Sequence, residues 1–215
     1  MKKLIPKYAR LPLLLCFILN FLSYNGARFI KQNDFHFNFE TFLDKNIPFL
    51  PFTAFIYIGC FFVWIINYIL SVKYDKENAY KFLCADFICK IICFLIFILI
   101  PTTNTRPIVE YTGFWNNVMT FIYSVDAADN LLPSTHCLFS VLCYLGIKDI
   151  DKIPKWYRNF SLIVAILVCI STLTTKQHVI LDVFVGITLA IITYTLCKKT
   201  KISKFYFKLF RFIKD

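Results

Sequence analysis

The sequence has little glycine, little charge and almost no histidine. Only 5 of its 215 residues are glycine, 17% are charged and three are histidine, whereas 58% are hydrophobic. Soluble domains are about 45–50% apolar, and so small a polar fraction cannot cover a water-soluble particle. The excess of apolar side chains must face lipid, which excludes an ordinary soluble domain.

Cysteine is abundant, but its spacing is not that of a metal or redox site. All nine cysteines lie within or at the ends of apolar runs, and no CxxC pair occurs. Cys89 and Cys93 stand four residues apart with no histidine nearby, so neither a zinc site nor a redox pair is expected. We interpret the thiols as small hydrophobic side chains in the protein interior. The sequence therefore predicts no metal and no cofactor.

Six apolar stretches approach the roughly 20 residues that a helix needs to cross a bilayer. Only a helix satisfies its own backbone hydrogen bonds in lipid, so these stretches predict an all-α, polytopic bundle of about six transmembrane helices. We expect one membrane domain over residues 1–215. The first stretch ends without a small-residue cleavage site, which favours a retained helix over a cleaved signal. The stretches cover residues 11–29, 49–72, 82–101, 134–148, 159–175 and 178–196.

The distribution of lysine and arginine predicts the orientation of the bundle. An even number of spans puts both termini on one side, and that side carries 18 of these residues against 5 on the other. By the positive-inside rule, both termini are cytoplasmic and the loops 102–132 and 171–177 face outward. The net charge of +11 therefore reflects topology and indicates no nucleic-acid partner. We expect a multi-pass protein of a bacterial plasma membrane.

The C-terminal tail, residues 198–215, interleaves lysine and arginine with phenylalanine, isoleucine and leucine. This pattern predicts a basic amphipathic helix on an anionic cytoplasmic leaflet. A partner-binding tail is the alternative interpretation.

Two of the three histidines fall at the outer ends of predicted helices, where a bundle can bring them together. His136 begins the fourth helix and His178 the sixth. His178 and Asp182 are four residues apart and share a helix face, so the carboxylate can fix one imidazole tautomer and stabilise its charged form. His36 lies among phenylalanines, and packing on aromatic rings is its default interpretation.

Cations and a helix N-terminus accompany these histidines. Ser134 follows Pro133 at a helix start, where a serine cap leaves backbone N–H groups directed at an anion. Arg106 supplies a planar fork of donors suited to phosphate, and Lys176 stands two residues before His178. Together these residues predict a site for a phosphoryl group.

In order and spacing these residues resemble the type 2 phosphatidic acid phosphatase superfamily of membrane lipid phosphatases and phosphotransferases. Its signature reads KxxxxxxRP, then PSGH, then SRxxxxxHxxxD. The corresponding blocks here are TRP around Arg106, PSTH at 133–136 and STLTTKQHVILD at 171–182. The resemblance covers residues 101–196, which we interpret as the catalytic signature region.

Three positions depart from that signature. Leu99 stands in place of its lysine, Thr135 in place of its glycine and Thr172 in place of the arginine in the third block. A cation can come instead from Lys176. The TKQHxxxD pattern is similar to the branch that includes inositol phosphorylceramide synthases and related bacterial proteins.

The resemblance implies a covalent mechanism that needs no metal. His178, oriented by Asp182, would attack phosphorus, and His136 would protonate the departing lipid oxygen. The substrate would be a membrane lipid phosphate, diphosphate or phosphodiester at the outer face, with water or an alcohol as acceptor. The implied phosphate-binding residues are Arg106, Lys176, Ser134, Thr135 and Ser171.

Two other classes of protein remain as alternatives. One is a transporter or scaffold of the same fold whose histidines no longer act, although retention of His136, His178 and Asp182 argues against it. The other is a haem or metal membrane protein, which would need histidines facing each other at mid-membrane depth, whereas His136 and His178 are at helix ends. Asp86 and Lys90, four residues apart within the third span, are interpreted as a structural ion pair.

Overall fold

The computed structural model describes residues 4–31 and 35–210, most of which are helical. Two short parallel strands, β1 (Phe37–Asn38) and β2 (Thr102–Thr103), pair between loops. The helices are α1 (Lys7–Phe21), α2 (Ala27–Lys31), α3 (Phe42–Asn46), α4 (Ala54–Lys73), α5 (Lys76–Leu99), α6 (Phe114–Val125), α7 (Thr135–Ile147), α8 (Lys155–Thr174), α9 (Ile180–Lys199) and α10 (Ile202–Leu209).

The described part of the chain contains five helical stretches long and apolar enough to cross a membrane, which confirms the predicted all-α membrane class. The first joins α1 and α2 through a π-helical turn at Leu22–Gly26, and the second adds a 3₁₀ turn at Pro51–Thr53 to α4. The five stretches are Lys7–Lys31, Pro51–Lys73, Lys76–Leu99, Lys155–Thr174 and Ile180–Lys199.

The predicted fourth span forms as α7 but is shorter than a membrane-crossing helix. Its 13 residues extend about 20 Å, whereas the hydrocarbon core is about 30 Å thick. It packs against α4, α8 and α9, and most of its side chains are buried. A Cβ on Gly146 would lie 2.5 Å from Ser71 Oγ and 2.6 Å from the Phe82 ring. The absence of a side chain there lets α7 approach α4 and α5 closely.

The loop over residues 101–136 is more structured than the sequence indicates, because it contains α6. One side of α6 buries Met119 and Ile122 against Ala54 and Tyr57 of α4. This packing places the loop against the same helix that lines the candidate site.

Part of the predicted basic tail forms α10. Tyr206 and Phe210 are buried and pack near the Tyr80 ring of α5, whereas Phe205 and Leu209 are exposed. Residues 211–215 of the tail lie outside the described residues. Contact of this tail with a lipid surface stays a prediction.

The charges inside the third span form the ion pair that their spacing predicts. Lys90 Nζ lies 2.6 Å from Asp86 Oδ2, and the Tyr68 hydroxyl donates to Asp86 Oδ1 at 2.6 Å. Both charged side chains are buried, so each neutralises a charge that would otherwise be costly inside a membrane protein.

Candidate active site

His178 and Asp182 meet at the N-terminus of α9. His178 Nδ1 lies 3.3 Å from Asp182 Oδ2, and the same oxygen accepts a hydrogen bond from the Val179 N–H at 3.0 Å. Both side chains are buried. Because the carboxylate faces Nδ1, the nitrogen left for chemistry is Nε2.

His136 lies in the first turn of α7, enclosed by aromatic rings of α4. Its ring stacks on Tyr57 with centroids 4.1 Å apart and lies 5.5 Å from the Trp64 ring. Both ring nitrogens are buried, and neither has a hydrogen-bond partner among the described residues. Buried polar atoms in folded proteins nearly always have one, so these nitrogens are sites for a ligand's polar atoms. The His136 and His178 rings lie 6.2 Å apart between centroids.

Contacts between α7 and α9 bring the two histidines together. Ser134 is the N-cap of α7, and its Oγ accepts from the Cys137 N–H at 3.4 Å. Its own N–H donates to the Asp182 carbonyl at 3.0 Å. A Cβ on Gly186 would lie 2.6 Å from the Ser134 carbonyl oxygen, so glycine is what permits this approach.

The turn between α8 and α9 is held by its own backbone. The Thr172 carbonyl accepts from the N–H groups of Gln177 and His178 at 3.0 and 3.1 Å. Ser171 is buried, and its hydroxyl donates to the Val168 carbonyl at 2.9 Å, within its own helix. Ser171 is not one of the described residues that line the cavity next to His136 and His178. A role for Ser171 in binding phosphate stays a prediction.

Lys176 contacts helix α3. Its Nζ donates to the Asp44 carbonyl at 2.7 Å, while Asp44 Oδ1 accepts from the Ile180 N–H at 2.7 Å. Burial would raise the pKa of Asp44, but hydrogen bonds from Thr41 and Ile180 and the charge of Lys176 outweigh it and lower that pKa. Asp44 thus holds the start of α9. The T-x-x-D pattern from Thr41 to Asp44 is typical of a helix N-cap and could have indicated α3, but the sequence analysis missed it.

Replacing Lys176 with methionine is expected to lower the midpoint of thermal unfolding by several degrees while leaving the KM for substrate little changed. The reason is that Lys176 donates a hydrogen bond to helix α3, and a hydrogen bond from a charged group contributes about 1.5–3 kcal/mol. Differential scanning fluorimetry and initial rates on the purified protein measure both quantities. Lys45→Met, on an exposed lysine of the same helix α3, is the matched control. If turnover fell about 10-fold to 150-fold at unchanged stability, Lys176 would act on the phosphate, as the sequence predicts.

Arg106 reaches the same turn from the loop before α6. Its guanidinium donates to the Asp126 carbonyl at 2.5 Å, to the Ala127 carbonyl at 3.3 Å and to Gln177 Oε1. The Tyr123 ring lies 4.6 Å from the guanidinium carbon. Gln177, which the sequence analysis missed, lines the cavity next to the two histidines. Because Arg106 binds Gln177, the guanidinium is separated from that cavity by one side chain.

The two histidines line a cavity of about 480 Å³. Thr135, which replaces the signature glycine, lines it as well, together with aromatic rings of α1 and α4. A second, apolar cavity of about 620 Å³ lies between α1 and α4. Phe17, Trp64 and Phe139 line both, so the two are adjoining parts of one groove.

A carboxylate cluster that the sequence did not indicate borders the histidine cavity. Asp126 accepts hydrogen bonds from the hydroxyls of Tyr24 and Tyr57 at 2.6 and 3.1 Å. Tyr57 is also the ring on which His136 stacks. Arg28 binds Asp129 at 2.7 Å, so a guanidinium offsets the carboxylates.

The environment of Asp126 favours its charged form. Burial would raise its pKa, but the Tyr24 hydrogen bond, His136, the Tyr57 hydrogen bond and Arg106 act in the opposite direction and together lower the pKa. The carboxylate is therefore ionised at neutral pH, and it places a negative charge near the buried His136 ring.

No three His, Cys, Asp or Glu side chains of the described residues converge in a way that would hold a metal ion. The metal-free character of the site stays a prediction. Of the predicted site residues, the structure brings together His136, His178, Asp182, Ser134 and Thr135, with Arg106 adjoining through Gln177.

The fold and this site define an α-helical membrane protein with two histidines and an aspartate at one end of the bundle. Comparison with known families matches residues 32–196 to the PAP2 superfamily, and the chain belongs to that superfamily. Membership supports an enzyme of the lipid phosphatase or phosphotransferase type. No curated protein and no solved structure matches the chain. The similarity to inositol phosphorylceramide synthases stays a prediction.

Proposed function

We propose that the protein transfers the phosphoryl group of a membrane lipid phosphate, diphosphate or phosphodiester through a phosphohistidine. The observation that carries this proposal is the His136–His178 pair, 6.2 Å apart, with both buried nitrogens of His136 unpartnered among the described residues. An oxygen of a phosphoryl group between the two rings would be the hydrogen-bond partner that His136 lacks.

In the first step, Nε2 of His178 forms a bond to phosphorus while the bond from phosphorus to the lipid oxygen breaks. That oxygen takes the proton of His136. Asp182, 3.3 Å from Nδ1, stabilises the positive imidazole that results. The negative charges of Asp126 and of the bound phosphoryl group would favour protonation of His136 before the step, against the burial of its ring.

In the second step, water or an acceptor alcohol attacks phosphorus and the nitrogen–phosphorus bond breaks. Its electron pair returns to His178, and His136 accepts the proton of the attacking oxygen. The backbone N–H groups at the start of α7 would stabilise charge on the phosphoryl oxygens directly, and Arg106, held behind Gln177, would do so through its charge. Neither step requires a metal ion.

The lipid chains of the substrate would occupy the apolar cavity between α1 and α4, which adjoins the histidine cavity at Trp64 and Phe139. Ligand sites are typically clefts of about 300–1,000 Å³ with apolar walls and a few polar groups. The charge distribution supports an outward-facing site, with both termini cytoplasmic in a plasma membrane.

The decisive experiment incubates the purified protein in detergent with lipid phosphates, diphosphates and phosphodiesters in the presence of EDTA. We expect release of inorganic phosphate or transfer to an added alcohol, and inhibition by vanadate. A requirement for added Mg²⁺ would overturn the metal-free mechanism. Absence of turnover on every class would support the non-catalytic alternative.

A further inference from the structure

A basic cavity lies at the end of the bundle opposite the histidines. The 20 residues of α9 rise about 30 Å from the histidine site to Lys199. The cavity there has a volume of about 560 Å³ and lies between the starts of α5 and α10 and the end of α9. We call it the lysine pocket, after the side chains that line it: Lys76, Lys81, Lys198, Lys199, Lys201 and Lys204.

The charges of the lysine pocket are only partly neutralised. Glu77 lines it and binds Lys81 at 2.7 Å, and Lys198 binds Asp149 at 2.5 Å. Within the described ranges, Lys199, Lys201 and Lys204 form no ion pair. The N-terminal ends of α5 and α10 carry partial positive charge, which the partial negative charge at the C-terminal end of α9 partly offsets, so the lysine side chains dominate the field.

The position of α10 indicates which anion the pocket takes. Ile202, Phe205 and Leu209 are exposed and recur at helical spacing on one side of α10. Ser203 and Tyr206 turn toward the bundle, and Lys201 and Lys204 face the pocket. An exposed apolar side next to a basic pocket is the arrangement of a helix at a lipid surface.

We propose that the lysine pocket binds the headgroup of an anionic glycerophospholipid in the leaflet at this end of the bundle. Its phosphate would lie among the lysines, and its acyl chains would run beside the apolar side of α10. Basic pockets at the ends of membrane helices bind such headgroups. The site is independent of the proposed phosphoryl chemistry, because it uses none of the residues near the histidines.

The test compares purified full-length protein with Lys199→Gln/Lys201→Gln/Lys204→Gln, in mixed micelles titrated with phosphatidylglycerol or with phosphatidylcholine of the same chains. Each lysine near an anionic surface contributes about 1 kcal/mol. We therefore expect the triple variant to bind phosphatidylglycerol about 100-fold more weakly, measured by the rise of the unfolding midpoint and by native mass spectrometry. Binding by the wild type should also weaken in high salt.

The matched control is Lys73→Gln/Lys148→Gln/Lys155→Gln, which removes three charges from the same end of the bundle but outside the pocket. We expect it to bind like the wild type. Equal binding by both triple variants, or equal binding of phosphatidylcholine, would overturn the proposal. If inorganic phosphate or glycerol phosphate stabilised the protein as strongly as the lipid, the occupant would be a soluble phosphate. Should the triple variant fail to fold, Lys201→Gln and Lys204→Gln singly, each expected to lose about 5-fold, make the same comparison.

Discussion

Replacement of His178 by alanine should abolish turnover on every lipid phosphate that the wild type accepts. The imidazole is the proposed nucleophile, and its removal takes away the nitrogen that would carry the phosphoryl group. With ³²P-labelled substrate and an alkaline quench, we expect the wild type to retain acid-labile label and His178→Ala to retain none. Asp182→Asn should give a smaller loss, because it keeps the nucleophile but removes the charge 3.3 Å from Nδ1.

His36→Ala is the matched control, because His36 is the one remaining histidine and lies in the loop before β1. It should keep both activity and label. Label on His178→Ala, or turnover by that variant at the wild-type rate, would contradict a phosphohistidine on His178. Unlabelled wild type that still turns over would instead indicate direct attack by water.

Replacement of His136 by alanine should slow turnover of a lipid phosphate by about 100-fold to 10,000-fold, the usual effect of removing a general acid. The loss should be much smaller with a p-nitrophenyl phosphodiester, because its leaving group departs without protonation. Initial rates of the two substrates, measured on the same preparations, give the comparison. Equal losses on both substrates would mean that His136 only fills space beside Tyr57.

Tyr57→Phe is the control for that comparison. It keeps the ring that stacks on His136 at 4.1 Å but removes the hydroxyl that donates to Asp126. We expect a modest loss on both substrates. If Tyr57→Phe lost as much activity on the lipid phosphate as His136→Ala does, the tyrosine rather than His136 would be the general acid.

The sequence predicted the membrane class and the contact between His178 and Asp182 for physical reasons that are local. Apolar runs of membrane-crossing length require helices whatever their neighbours are. The four-residue spacing of His178 and Asp182 predicts a contact, and the structure has one. The predicted shared helix face is wrong in detail, because His178 precedes Val179, the N-cap of α9. Ser134 as the cap of α7 follows from the same kind of local rule.

The sequence could not predict which polar side chains reach the cavity. Lys176 is next to Gln177 in the chain, yet its Nζ binds the Asp44 carbonyl while Gln177 lines the cavity. Asp126 and Tyr57 belong to distant segments, and no motif connects them to His136. A buried α7 of 13 residues was likewise not evident, because apolar composition alone does not separate a span from a core helix.

By itself the sequence determined that this chain is a helical membrane protein of a phosphoryl-transfer superfamily, with two histidines and one aspartate at helix ends. Hydropathy decides the membrane class and acts over a few turns of one segment, whereas the superfamily follows from the order of the three motif blocks and from the match over residues 32–196. Only the tertiary structure decided what encloses His136, which cation adjoins His178 and which lysines line one pocket at the opposite end of the bundle. Those features depend on packing between helices that are far apart in the chain, where a glycine such as Gly186 permits an approach that no local pattern encodes.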